Sequence, residues 1–412
     1  MKKITIFLFT ALAVNSNSQN WEIAKQNDFF SDTRNAALAN SVGALGGTFS
    51  AAYINPAGLA FSKMELSMSP FIKMKRNGSA MLQNISSDEK WGSGVGQVSF
   101  VLSLERLKKK ELGMHRSRSQ WSNLNIGFGY LRTTDFNERL VAEGFNKDNS
   151  LLDFFLTQAN FGEGVMPKNL DPMGAGLAFQ TMLIDTFPRQ FQYDSVKYFS
   201  VIPHGGVWQS LSIDRSGFAK SLVINFAATY GQKISLGLAV MRPTIYFLED
   251  VVYREKDTEN DGIPVFNSFT YERHLKSVSQ GLGLKMGAIW QANKGIRFGA
   301  AFETPVLMNM VDQNTASMAS DLADRQLKAE SGVVTKNYQL TSPSKATASV
   351  SFGGNFAVNI DYDYVDYRDL KVRTAPVAFD QNREVQATLK PTANLRVGLE
   401  QKINKVALRG GA

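Results

Sequence analysis

Residues 356–364 read Phe-Ala-Val-Asn-Ile-Asp-Tyr-Asp-Tyr. Phe356, Val358, Ile360, Tyr362 and Tyr364 fall on one face of a strand, and Ala357, Asn359, Asp361 and Asp363 on the other. Side chains alternate across a strand, so this stretch needs an apolar medium on one side and a polar one on the other. The same two-residue period recurs along the chain. It predicts strands near 64–75, 95–105, 122–132, 219–230, 234 onward, within 267–290, at 296–304, 340–352, 355–368 and 391–401, and an eleventh from Val406.

The connections alternate in length. Gly231-Gln232-Lys233, Gln291–Gly295, Gly353-Gly354 and Lys402–Lys405 read as tight turns. Long connections are expected at about 76–93, 133–218, 252–266, 310–339 and 369–390. Short turns on one side and long loops on the other are the footprint of an all-β, transmembrane antiparallel β-barrel of a bacterial outer membrane. With a periplasmic N-terminus, every long loop in this set falls outside. The connection 106–121 departs from the rule, being long on the periplasmic side. Trp91, Trp121, Trp208 and Trp290 fall near predicted strand ends, where lipid meets water.

Composition adds limits rather than direction. The hydrophobic share is 43%, because the two strand faces cancel in the average. Met1–Ser18 has a basic end (Lys2, Lys3), an apolar core (Ile4–Val14) and a small-x-small site (Ser16-Asn17-Ser18), which predicts a signal peptide over 1–18. After it, no apolar run reaches the length of a transmembrane helix. Cysteine is absent, which removes disulfides, thiol catalysis and Cys-ligated metals. His115, His204 and His274 are far apart, so spacing offers neither a metal site nor a catalytic triad. No enzyme and no cofactor are predicted. The net charge of +8 is not gathered into a nucleic-acid site. Its densest run, Arg106–Arg118, reads as a solvated connection, or as a contact to anionic headgroups or a periplasmic partner.

Two segments break the strand pattern. Residues 19–62 carry a short helix near 32–39 with Ser31 or Asp32 as its cap, then the Gly- and Ala-rich stretch Gly43–Phe61. Small residues suit a segment packed tightly against a wall, here inside a lumen. In loop 133–218, Asn149-Ser150 followed by Leu151, Leu152, Phe154, Phe155 and Ala159 predicts a capped amphipathic helix. Leu151, Leu152, Phe154 and Phe155 are the candidate ligand-binding residues, on a loop that either shows a greasy patch or folds over the barrel mouth and buries it.

The stretch Gly43–Phe61, with Asn55-Pro56-Ala57-Gly58-Leu59-Ala60, leads at once into alternating strands. It resembles the N-terminal hatch of the FadL/OMPP1/TodX family of hydrophobic-compound channels, and stretches near 177–185 and 225–241 look like its Bacteroidetes branch. The resemblance runs from about residue 29 to the end. It implies a fourteen-stranded barrel, of which about 11 strands are present here, plugged by a hatch over 19–62 whose motif is Asn55, Pro56, Ala57 and Gly58. The wall then occupies 63–412, and an odd final strand predicts a C-terminally truncated chain. The resemblance also implies a monomer in the outer-membrane lipid. Long-chain fatty acids or similar hydrophobic small molecules would be caught at external loops and passed by hatch-gated passive passage. The alternative within the same resemblance is a PorV-like docking or secretion-associated barrel that binds protein partners.

Overall fold

In the computed structural model, which describes residues 31–104, 120–187, 196–200, 202, 206–258, 266–373 and 378–412, the alternating segments join into one large antiparallel sheet. The predicted signal peptide and the run Arg106–Arg118 lie outside the described residues. The first strands are β1 (Glu65–Met81), β2 (Asn84–Ser103), β3 (Trp121–Asp135) and β4 (Glu138–Asn146). A small separate ladder, β5 (Ile184–Thr186) with β6 (Tyr198–Ser200), belongs to the large outer loop. Three long strands follow, β7 (Val207–Tyr230), β8 (Ile234–Asp257) and β9 (Phe266–Gln291). Then come β10 (Ile296–Glu303), β11 (Leu307–Leu322), β12 (Arg325–Glu330), β13 (Val334–Thr341) and β14 (Lys345–Phe352). The chain ends with β15 (Phe356–Asp366), β16 (Lys371–Arg373), β17 (Pro391–Ile403) and β18 (Val406–Gly411).

The strand path runs β1-β2-β3-β7-β8-β9-β10-β14-β15-β17-β18. β10 and β11 both pair with β9, so they are one wall strand bent at Thr304-Pro305-Val306. β3 and β4 likewise share β7, with the bend at Phe136-Asn137.

The wall is inside out compared with a soluble protein. Leu222, Ile224 and Phe226 on β7, Leu236 and Leu238 on β8, and Leu284 and Met286 on β9 are all exposed on its outer face. The alternate positions Asn225, Ser235, Ser279 and Lys285 are buried within. A contiguous apolar exterior of this kind costs free energy in water and is stable in lipid. Trp121 against Tyr230, with ring centroids 5.1 Å apart, and Trp290 stacked on Phe298 at 5.6 Å put aromatic rings at the tight-turn end, where a lipid–water boundary favours them. Trp208 is different: it lies at the far outer end of β7, opposite Lys256, beyond the apolar band. Leu238→Arg, which would place a guanidinium in the middle of this band, is expected to lower wall stability by about 2–4 kcal/mol. Reversible urea unfolding from phospholipid vesicles measures it, and an unchanged midpoint would show that Leu238 does not face lipid.

Several expected loops are strand. Residues 76–93 continue β1 and β2 as a ladder, with Lys75 facing Lys90 and Met81 facing Asn84 across the turn Leu82-Gln83. Those two turn residues have φ of 47° and 74°, as a tight two-residue hairpin requires. In the same way β8 runs on to Asp257, and 310–339 is largely ladder made by β11, β12 and β13. Backbone pairing continues past the membrane, but the apolar alternation stops there, because above the lipid both faces of a strand can be polar.

Candidate functional site

The interior is built in layers, and the order can be followed along β8. Ala239 and Met241 pack with the hatch residues Phe49, Ala52 and Leu59. Next, Ile245 and Phe247 join an apolar layer with Leu275, Met308, Met310 and Leu340, together with Val385 from the helix Ala378–Thr388. Val251 and Tyr253 belong to the outermost layer, formed with the large loop. The inward positions of one strand thus form an apolar track from the mouth to the hatch, interrupted by Glu249, which is paired with Arg215 at 2.7 Å and Arg273 at 3.0 Å.

The hatch is a set of short capped turns. Asp32, one of the two caps the sequence offers, caps the helix Thr33–Ala37 by accepting the Asn35 N–H at 2.9 Å. Thr48 caps Phe49–Ile54, and Asn55 caps the turn Pro56–Phe61 by accepting the Ala57 N–H at 3.1 Å. Pro56 follows that cap at the first position of the turn, where its missing N–H costs nothing. Gly58 meets Gly46 so closely that a Cβ on Gly46 would lie 2.7 Å from the Gly58 Cα. All four residues of the predicted motif therefore lie in one buried corner: Asn55 is 1% exposed, Ala57 is fully buried, and Pro56 and Gly58 are buried beside them.

Short turns leave carbonyls without partners of their own, and wall side chains supply them. Asn125 donates to the Leu59 and Ser62 carbonyls at 2.8 and 2.9 Å, Asn225 to Ala52 at 3.2 Å, and Arg297 to Leu45 at 2.9 Å. Lys285 donates to the Tyr53 carbonyl at 2.7 Å. Asn55 reaches the other way, donating to Ala288 on β9 at 3.2 Å as well as to Gly43 at 2.8 Å. The Gly43 N–H donates to Asp361 at 2.9 Å. The wall also makes room. A Cβ on Gly237 of β8 would come within 2.5 Å of the Pro56 carbonyl oxygen, and nearer still to Pro56 C and Ala57 N. On β3, side chains at 127 and 129 would run into the Phe49 ring.

Above the hatch corner is a cavity of about 220 Å³. Its floor includes Tyr53 and Ile54, and its walls bring apolar side chains (Met241, Ile245, Val306, Met308) together with Lys220, Lys285, Lys345, Arg396 and Glu303. Lys285 pairs with Glu303 at 2.8 Å, and Lys345 and Arg396 each pair with Asp363 at 2.9 Å. Arg396 also stands 3.6 Å from Asp361. Asp361 and Asp363, read from sequence as a polar lumen wall, are buried and serve as counter-ions behind these cations. The space can hold an apolar chain while offering ammonium and guanidinium groups to an anionic head. The bend Thr304-Pro305-Val306 and the segment Ser342-Pro343-Ser344 border it, so the wall ladder is interrupted at this height.

The predicted ligand residues lie elsewhere. The helix Leu151–Ala159 forms as expected, with Ser150 as its cap and Asp153 completing a capping box. Leu151, Leu152 and Phe155 are buried in the outer layer, and Phe154 is half-buried against it. What holds the helix down is Glu255, fully buried at the outer end of β8, well beyond the lipid band. Its carboxylate accepts from Leu151 N–H at 2.8 Å, Gln209 at 2.9 Å, Ser150 Oγ and Tyr253 OH. Burial pushes the Glu255 carboxyl up from its ordinary value, against the pull of these donors. In the described part of this loop the exposed apolar side chains are Phe161, Met182 and Phe187. The cavity residues carry no local sequence signal, because they come from strands far apart in the chain.

No protein-family model matches the chain, and no curated protein sequence matches it. Among solved structures it is similar to the Pseudomonas putida toluene transporter TodX, at 13% identity over 92% of this chain and 81% of that one, with a TM-score of 0.45. It is also similar to a Pseudomonas aeruginosa FadL homologue (12% identity, 94% and 80% covered, TM-score 0.47). A third is the Ralstonia pickettii toluene transporter TbuX (14% identity, 91% and 84% covered, TM-score 0.37).

Proposed function

We propose that this barrel lies in the outer membrane and takes up hydrophobic compounds passively, long-chain fatty acids being the preferred class. The observation that carries the reading is the apolar track inside the barrel, which ends at a cavity with both apolar and cationic walls. A general porin has a polar, water-filled lumen. Here the inward positions Tyr253, Val251, Phe247, Ile245 and Met241 of β8 are buried and apolar, with the ion-paired Glu249 between Val251 and Phe247. Burying a chain against them gains about 25 cal/mol per Å² of apolar surface. The cations at the cavity give a carboxylate head a counter-charge that a neutral hydrocarbon does not need.

The hatch closes the periplasmic side below that cavity, so passage requires it to move. Asn55 is the test residue, since it caps the Pro56–Phe61 turn and ties the hatch to β9. Asn55→Ala removes both roles and takes the Asn55 donor from the buried Gly43 carbonyl of the hatch, at a cost of about 1–3 kcal/mol. Vesicles carrying the wild-type chain are expected to take up labelled oleate and exclude a polar sugar of similar size. Vesicles carrying Asn55→Ala are expected to admit the sugar and lose that selectivity. Oleate uptake no greater than that of empty vesicles would reject transport and favour a docking barrel.

A further inference from the structure

We infer that Lys285 links the arrival of an anionic head group in the cavity to release of the hatch, a step that rests on the uptake reading above. Lys285 belongs to two assemblies at once. It lines the cavity, and its Nζ donates to the Tyr53 backbone carbonyl at 2.7 Å while pairing with Glu303 at 2.8 Å. The same Nζ sits 4.3 Å from the centroid of the Tyr53 ring. Tyr53 is followed by Ile54, a cavity-lining residue, and by Asn55, the cap of the motif turn. A tie loosened at Tyr53 therefore acts directly on the corner that holds the hatch against β8 and β9.

The chemistry gives the link a direction. An ammonium has three N–H donors, and a carboxylate oxygen is a stronger acceptor for them than an amide carbonyl. A second carboxylate beside Lys285 draws Nζ toward the added negative charge, and the neutral Tyr53 carbonyl, the weakest of its acceptors, is the contact that lengthens. The other cations are placed differently. Lys345 pairs with the wall residue Asp363, and Arg396 reaches the hatch through Asp361, which accepts the Gly43 N–H. A neutral chain settled among Met241, Ile245 and Met308 makes no demand on Lys285. The cavity then admits apolar molecules in general but unlocks the hatch for those with an anionic end.

The chain has no cysteine, so Ala52→Cys places a single thiol in the hatch helix at a fully buried position. The test follows its labelling by a charged maleimide in the full-length chain in detergent, with oleate or with oleyl alcohol, which has the same hydrocarbon chain without the charge. Oleate is expected to raise the labelling rate roughly tenfold, the scale of losing one charge-assisted hydrogen bond, and oleyl alcohol to leave it flat. Lys285→Met is expected to label fast without oleate and to ignore it, whereas Lys285→Arg keeps the response. An equal response to the alcohol, or a persisting oleate response in Lys285→Met, overturns the link. Displacement of a fluorescent fatty acid by oleate with labelling unchanged also overturns it while leaving the uptake reading intact. Failure of oleate to displace the probe overturns both. If Lys285→Met loses heat-modifiable gel mobility, the comparison of oleate with oleyl alcohol on Ala52→Cys alone decides.

Discussion

Gly237→Val is expected to unseat the hatch while leaving the wall folded. Gly237 lies between Ala227 of β7 and Gly287 of β9, and its inward side faces the backbone of Pro56 and Ala57. A side chain there collides with main chain, which cannot swing aside as a flexible side chain can. That main chain is itself pinned, because Ala57 N–H is held by Asn55 and Asn55 by Ala288. The strand itself accepts valine readily, since β-branched residues suit extended backbone. The strain therefore falls on hatch seating and amounts to about 3 kcal/mol or more. Heat-modifiable mobility should persist, while vesicle swelling in small sugars should rise and the hatch should become open to protease. Leu236→Val, one residue away on the lipid side, should do neither. A Gly237→Val protein with a protected hatch and no leak would show that the hatch does not rest against this wall.

Glu255→Ala is expected to free the outer loop without unfolding the barrel. One carboxylate gathers the N-terminus of the helix Leu151–Ala159, the Ser150 hydroxyl, Gln209 and Tyr253, all within a buried site. Removing it takes their shared acceptor from Leu151 N–H, Ser150 and Tyr253, while Gln209 keeps the Asn149 carbonyl, and each buried donor left unpaired costs about 1–3 kcal/mol. The packing of Leu151, Leu152 and Phe155 against the strand extensions depends on that anchor. Limited proteolysis should cut within 147–187 in the variant and spare that stretch in the wild type, with the wall intact in both. Glu255→Gln, which keeps one acceptor oxygen but adds donors, should fall between. Equal resistance in Glu255→Ala would mean that apolar packing alone docks the loop.

How much of this was legible differs from element to element. Ile296, Phe298, Ala300 and Phe302 against Arg297, Gly299 and Glu303 announced β10 to within a residue, and Gly231-Gln232-Lys233 announced the β7–β8 turn. The cap at Ser150 and the helix after it were equally plain. The hairpin 76–93 was not, because Lys73, Lys75, Asn77 and Ser79 share neither lipid nor a core, and pairing partners leave no mark in a polar strand. The fate of Leu151, Leu152 and Phe155 was also hidden. An amphipathic helix announces that one face will be covered, and says nothing of whether the cover is a ligand or Tyr253, Phe269 and Met318.

The sequence by itself determined the apolar outer face of the wall, the tight turns and the capped helix at Ser150. Each of these depends on neighbours a few residues away, through strand alternation, turn conformation or a local cap. Only the tertiary structure decided the cavity, the tie from Lys285 to Tyr53, the glycine seat at Gly237 and the anchor at Glu255. Those depend on strand register, which sets Lys285 beside Glu303 and Lys345 opposite Val365, and on the hatch coming to rest against strands at separations such as 63 and 318 residues along the chain. Contacts of that range are chosen by packing as a whole, and no window of sequence contains them.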